Sequence, residues 1–254
     1  MAHIETSAVT AEVVEHFRDK GWARIPGLFS ADLADELRDR VGRFSSAESD
    51  SKDLGAFEVC ENPRFQDRAF RSCAHSAELG AVVARLGGQP MRLMEDTLFV
   101  KYPQSDGGGP TAWHQDLPYM AVDRTGCLTI WVALSDVPAD MGSLRFMEGS
   151  HRYCGPLGKT LQRLGHDALG QYPWLADKFT VSPPLALHKG DATVHDGLTV
   201  HSAPPNRYRT PRYAYALKCF PASSLYTGAR SRYTDGLGLT VDQPFEHPNF
   251  PVMR

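Results

Sequence analysis

From Met91 to Phe220 the chain is cut into short runs rich in β-branched and aromatic residues, each closed by Gly, Pro or Asp. The runs centre on Thr97-Leu98-Phe99-Val100 within Met91 to Tyr102, on Leu128 to Leu134, on Leu144-Arg145-Phe146-Met147, on Ala192-Thr193-Val194-His195 and on Arg212 to Phe220. Strands this short, separated by turn residues, point to a sandwich or a barrel. The residues before Met91 read differently. Val9, Val13, Val14 and Phe17 stripe a helix over Val9 to Lys20 that Gly21 stops, and Trp22 to Pro26 reads as a short strand. Ser30 is placed to cap a helix from Ala31 to Phe44, and Pro63 to Cys73 and Ser76 to Leu86 give two more helical patterns, the last stopped by Gly87-Gly88. The expected architecture is one domain, mainly β with flanking helices: residues 1–90 a mostly helical flank, 91–222 the β core and 223–254 a C-terminal extension. Three connecting segments break the pattern. Ser45 to Gly55 is polar and reads as a solvated loop; Pro103 to Pro110 is either a lid or an ordinary connection; Gly155 to Asp177, with a helical piece from Leu157 to Leu169, either covers a site or simply packs.

A chain of 254 residues buries a full core without staples. The five cysteines, Cys60, Cys73, Cys127, Cys154 and Cys219, are scattered with no Cys-x-x-Cys pair, which disfavours a disulfide framework and a thiolate zinc site. A net charge of -3 with no basic block disfavours nucleic acid and anionic membranes as partners. The N-terminal residues lack the pattern of a signal peptide and no apolar run reaches bilayer length, so a soluble, cytoplasmic protein acting on a small molecule is expected.

Chemistry concentrates just after the Gly/Pro-rich run, at Trp113-His114-Gln115-Asp116. On an extended strand His114 and Asp116 share a face and reach one metal ion. A second histidine, His201, follows an apolar run, and two imidazoles with one carboxylate on one side of a metal is the ligand set of non-heme Fe(II) oxygenases, which keep the opposite side open. His195 and His188 lie close enough in sequence to take the place of His201. If 2-oxoglutarate chelates that metal, its distal carboxylate needs a fixed cation. Arg212, eleven residues after His201 across a Pro-Pro-Asn turn, is the first candidate and Lys101 the second. Thr129 and Trp131 alternate on one face of a strand, where the hydroxyl is placed to meet a carboxylate and the indole to wall a pocket; both are also ordinary strand formers.

The order of these blocks resembles the phytanoyl-CoA dioxygenase family of Fe(II)/2-oxoglutarate oxygenases. The resemblance is carried by Lys101-Tyr102-Pro103, His114-Gln115-Asp116, Leu128-Thr129-Ile130-Trp131, Gly142-Ser143-Leu144-Arg145 with Gly149-Ser150-His151, and Gly190-Asp191-Ala192 leading to His201 and Arg212. It implies a double-stranded β-helix, or jelly roll, in which His114, Asp116 and His201 hold iron, Arg212 binds 2-oxoglutarate, and dioxygen is the oxidant. Members often carry Gly-Ser after the distal histidine where this chain has Ser202-Ala203, which puts a serine contact to the co-substrate in doubt. Related halogenases replace the carboxylate, so Asp116 argues for hydroxylation or another oxidative outcome. Segments such as Asp123-Arg124-Thr125-Gly126 resemble bacterial members that tailor secondary metabolites, including enzymes that close rings or invert stereocentres on antibiotic polyketides. Two rivals use the same residues: a zinc-dependent hydrolase or isomerase, and a jelly-roll binding protein without turnover.

Overall fold

A computed structural model describes residues 3–44, 57–153 and 168–254. The loop expected at Ser45 to Gly55 lies outside them, as do Cys154 and residues 155–167 of the insertion.

The helices start and stop where local chemistry dictates. Helix α1, Ala11–Lys20, begins where the Thr10 side chain accepts the Val13 amide and ends at Gly21, whose φ of 80° suits a residue without Cβ. A side chain at Gly21 would also run into His151 and Thr199. Helix α2, Ala31–Arg38, is capped by Ser30 but stops short of Phe44, giving way to a 3-10 turn at Val41–Arg43. Pro63 opens only a 3-10 turn, Pro63–Phe65; α3 runs from Arg68 to Ala74, because the Asp67 carboxylate takes the Ala69 amide and sets the start there. Helix α4, Ala77–Gly87, is capped by Ser76 and closed by Gly88 at φ 67°.

Two antiparallel sheets make the body of the protein. The larger, in the order β1-β7-β5-β9-β3-β2, joins β1 (Trp22–Ile25), β2 (Phe57–Glu61), β3 (Met91–Lys101), β5 (Leu128–Ala133), β7 (Ala192–Asp196) and β9 (Arg212–Pro221). The smaller, β4-β8-β6, joins β4 (Thr111–His114), β6 (Arg145–Phe146) and β8 (His201–Ala203). The helical flank expected over residues 1–90 thus also supplies both edge strands of the large sheet, and β2 carried no sequence signal of its own.

Alternation along the strands separates the two faces of the large sheet. On one face Ile25, Leu98, Ile130, Val132, Val194 and Leu217 pack against the helices through Leu37, Phe70, Leu79 and Val83. Within this layer Arg64 forms a buried ion pair with Asp96, Tyr215 donates to the same carboxylate at 2.8 Å, and Arg64 also reaches the Asn249 carbonyl at 3.0 Å. The other face, with Trp22, Trp131, Ala214 and Ala216, meets Phe146 and Ala203 of the small sheet. This is the jelly roll. Short helices α5 (Ala168–Gln171) and α6 (Leu175–Lys178) cluster with Trp113, Met147 and Val200, so the described part of the insertion covers the small sheet from behind. The Pro103 to Pro110 connection is tied down: the Gln104 backbone N–H donates to the Asn206 carbonyl at 2.7 Å, and Asn206 Nδ2 donates to the Lys101 carbonyl just before the connection at 3.1 Å.

Candidate metal centre

The facing surfaces of the two sheets bring the chemistry together. His114 on β4 lies opposite His201 on β8, with ring centroids 4.2 Å apart. Asp116 arrives by a route the sequence misjudged. Strand β4 ends at His114, and Asp116, at φ -81° and ψ -41°, opens the 3-10 turn Leu117–Tyr119. A turn, not an extended strand, brings its Oδ1 to 4.0 Å from His114 Nε2. Among the described residues, His114, Asp116 and His201 form the group able to hold a metal ion, with ligand atoms all within 4.8 Å of one another.

The donor set suits a divalent metal. His114 Nδ1 lies 2.8 Å from the Ala112 carbonyl and His201 Nδ1 lies 2.9 Å from that of Thr199. A carbonyl can only accept, so each Nδ1 carries the proton and each Nε2 presents a lone pair. Burial lowers the pKa of both imidazoles, that of His201 well below its ordinary value, and keeps them neutral. For Asp116, burial pushes the carboxyl up, but the nearby Lys218 ammonium and a hydrogen bond from His195 outweigh it and hold the group well below the usual carboxylate range.

The Thr129 hydroxyl, expected from the sequence to meet a carboxylate of the co-substrate, donates to the carboxylate of Asp116, to Oδ2 at 2.6 Å. Trp22, His195, Thr129, Lys218 and Glu95 lie opposite one another in a row across five strands, and Asp116 from outside the large sheet lands on that row. His195 Nε2 approaches Asp116 Oδ2 at 3.2 Å. Lys218 was missed: its ammonium lies 3.8 Å from Asp116 Oδ1, 3.5 Å from Glu95 and 3.0 Å from the Tyr233 hydroxyl. A signal existed, since Arg212, Ala214, Ala216 and Lys218 alternate onto one face of β9 and lysine is unusual inside a buried strand. His188 lies at the surface beside Asp136, and His151 reaches the Arg18 carbonyl, so neither joins the centre.

Further along the same face, Lys101 and Arg212 lie directly opposite each other on β3 and β9, both buried. The Arg212 guanidinium stacks 4.9 Å from the Trp131 ring centroid and donates to the Gly142 carbonyl. Lys101 donates to the Ala203 carbonyl at 3.2 Å. Gly142, at φ 76°, has to be glycine, because a Cβ there would come within 2.7 Å of the Pro204 carbonyl and against the Lys101 chain. Burial lowers Arg212 to about 9, still charged at neutral pH, while burial and the neighbouring guanidinium lower Lys101 to about 6. Among the described residues no carboxylate forms an ion pair with Arg212. Ser202, between the inward-facing His201 and Ala203, pairs with Arg145 and turns its side chain away, so the Ala203 methyl stands toward the interior.

The family profile described as Phytanoyl-CoA dioxygenase (PhyH) matches residues 17–214. The mouse protein named Phytanoyl-CoA dioxygenase domain-containing protein 1 is 28% identical over 165 residues, covering 62% of this chain and 54% of that protein. A Caenorhabditis elegans homolog of it is 24% identical over 173 residues, covering 65% of this chain and 59% of its own length. The chain thus spans little more than half the length of these curated relatives. Among solved structures, the carbocyclase SnoK from nogalamycin biosynthesis superposes with a TM-score of 0.84 at 22% identity, covering 98% of both chains. The epimerase SnoN, in complex with Fe3+, alpha ketoglutarate and nogalamycin RO, superposes with a TM-score of 0.81 at 25% identity, covering 96% of this chain and 98% of that one.

Proposed function

The chain belongs to the phytanoyl-CoA dioxygenase family, and from that premise we propose that it is an Fe(II)/2-oxoglutarate-dependent oxygenase that oxidises a C–H bond of a small molecule. The observation that carries the reading is the convergence of His114 Nε2, His201 Nε2 and the Asp116 carboxylate on one point, with the buried Arg212–Lys101 pair further along the same face of the large sheet. These three residues would hold iron. Bound there together, iron and 2-oxoglutarate supply oxidising power drawn from dioxygen, with succinate and carbon dioxide as by-products.

The protein's part is to bind, orient and exclude water. Arg212 offers two parallel N–H donors to a carboxylate, and stacking on Trp131 with the bond to Gly142 fixes the plane in which it does so. Lys101, opposite it on the neighbouring strand, adds an amine that becomes a second cation on taking up a proton. Thr129, His195 and Lys218 hold Asp116 ionised and in place. Trp131, Phe146 and the two inner alanines of β9, Ala214 and Ala216, are buried in the space between the sheets, keeping these charges in a medium where they act strongly. Zinc chemistry on the same ligands has no use for the Arg212–Lys101 pair, which favours the oxygenase.

For the substrate, a role in tailoring an antibiotic or polyketide is supported by the likeness to SnoN over nearly the whole chain. Hydroxylation, ring closure and epimerisation all begin with loss of the same hydrogen and diverge according to where the protein holds the substrate carbon. The test is anaerobic. Fe(II) and then 2-oxoglutarate are added to the protein, and the visible spectrum is compared with those of His114→Ala and Arg212→Ala. A weak charge-transfer band that requires His114 and fades without Arg212 is expected, followed by succinate release in air. Iron binding with no band under any 2-oxoglutarate concentration refutes the assignment.

A further inference from the structure

His195 is buried at 2% exposure, between Trp22 and Thr129 in the row that crosses the large sheet. Its ring centroid lies 4.2 Å from that of His201 and 5.5 Å from that of Phe146. Since a carboxylate only accepts, the 3.2 Å contact with Asp116 fixes the His195 proton on Nε2. That leaves Nδ1 as an acceptor, and it is buried with no partner. As a core filler this imidazole is a poor choice, because a phenylalanine would occupy the space beside Trp22 and Phe146 without an orphaned nitrogen. Packing therefore does not account for a histidine here, and the bond to Asp116 does.

The two oxygens of Asp116 are treated unequally. Oδ2 receives two hydrogen bonds, from Thr129 Oγ1 at 2.6 Å and from His195 Nε2 at 3.2 Å. Oδ1 receives neither; its neighbours are Lys218 Nζ at 3.8 Å and His114 Nε2 at 4.0 Å. We infer that His195 is a positioning residue which, with Thr129, occupies Oδ2 so that Asp116 offers the metal Oδ1 alone. A carboxylate free to rotate can chelate with both oxygens and take up one of the positions that a co-substrate needs. Anchored at Oδ2, it cannot. His195 itself stands outside the group whose ligand atoms converge. The inference rests on the metal-dependent reading given above and adds to it a residue and a role.

Titration of the metal-free protein with Co(II), without 2-oxoglutarate, tests it in wild type, His195→Phe, His195→Gln and Thr129→Val. His195→Phe should weaken Co(II) binding by about 10- to 100-fold, the usual range for loss of such an outer contact, and alter the Co(II) d–d spectrum. Glutamine places an N–H where Nε2 stood, so His195→Gln should recover affinity to within a few fold of wild type. Thr129→Val, which removes the other donor and leaves the histidine, should shift affinity and spectrum in the same direction as His195→Phe. Wild-type affinity and spectrum in His195→Phe overturn the inference. So does a glutamine variant as weak as the phenylalanine one, since the imidazole rather than its N–H would then be what the metal needs. A wild-type protein that leaves Co(II) unbound sinks the metal-dependent reading itself, whereas binding by wild type with no response in the variants sinks this inference alone.

Discussion

On the helix side of the large sheet, Arg64 and Asp96 are both buried and meet each other, with Tyr215 and the Asn249 carbonyl taking further positions. On the opposite side Arg212 and Lys101 are buried as deeply, but there one basic side chain lies beside another. The first cluster is closed: its charge is neutralised by the chain and it ties the 3-10 turn Pro63–Phe65 and the C-terminal segment to β3. In the second, no carboxylate among the described residues forms an ion pair with Arg212, and a fold tolerates a buried guanidinium of that kind only if it is offset elsewhere or completed by a ligand. Burial alone therefore does not separate structural charge from functional charge. Which partners the chain itself provides does.

The contrast can be broken from either side. The largest effect is expected from Asp96→Ala, which strands Arg64 in the helix layer and should cost about 3–5 kcal/mol of stability. Thermal unfolding measures it, and the loss should be the same with and without 2-oxoglutarate. A variant as stable as wild type would mean that the ion pair is not what holds that layer. Next comes Arg212→Met. It should weaken 2-oxoglutarate binding to the iron-loaded protein by about 2–4 kcal/mol, the cost of taking one partner from a buried charge-assisted contact, while leaving the melting temperature unchanged or higher. Equal binding in variant and wild type, read by titration of the charge-transfer band, would remove Arg212 from the site.

Lys101 sharpens the comparison through pH. Its pKa is about 6 in the folded protein, against an ordinary 10.5. Between those values the unfolded chain binds more protons than the folded one, so this group makes stability rise with pH from about 6 toward 10.5. Lys101→Met should be more stable than wild type at pH 7 and lose that part of the slope. Parallel stability curves for the two proteins would contradict the burial argument. The same group predicts a smaller effect on binding. An anion favours the ammonium form, so 2-oxoglutarate binding takes up a proton and its affinity falls as pH climbs above about 6, by at most tenfold per unit. Affinity that is flat from pH 6 to 8 would show that the ammonium takes no part.

Much of this was legible from residues alone, and the misses share a cause. The helix start at Ser30 and the helix stop at Gly21 were readable because a cap and its helix are neighbours in sequence. Strands β3, β5, β7 and β9 were readable from their composition, and the meeting of His114 with His201 from blocks in a fixed order. What failed were statements about partners from other elements. Thr129 has its hydroxyl on Asp116, thirteen residues away and outside the large sheet. His195 and Lys218 become neighbours of Asp116 only once β7, β5 and β9 are in register. Asp116 itself was expected on a strand and found in a turn, because Leu117-Pro118-Tyr119 starts a 3-10 helix that no alternation pattern announces. Cross-strand register, unlike capping, is not written locally.

The order of strands in the large sheet has a consequence in time as well as space. Strand β9 is the last to be synthesised, yet it lies between β5 and β3, and β1 near the start of the chain waits for β7. As the polypeptide leaves the ribosome, β2 can pair with β3, and β7 with β5 and β1, but these two pieces stay unjoined until β9 has emerged, and sheets built from distant partners form slowly. Before that moment Asp116 has no Lys218 beside it and Arg212 no Lys101. The binding centre is therefore among the last things this chain acquires, and nascent protein that stops short of β9 should neither fold nor take up metal.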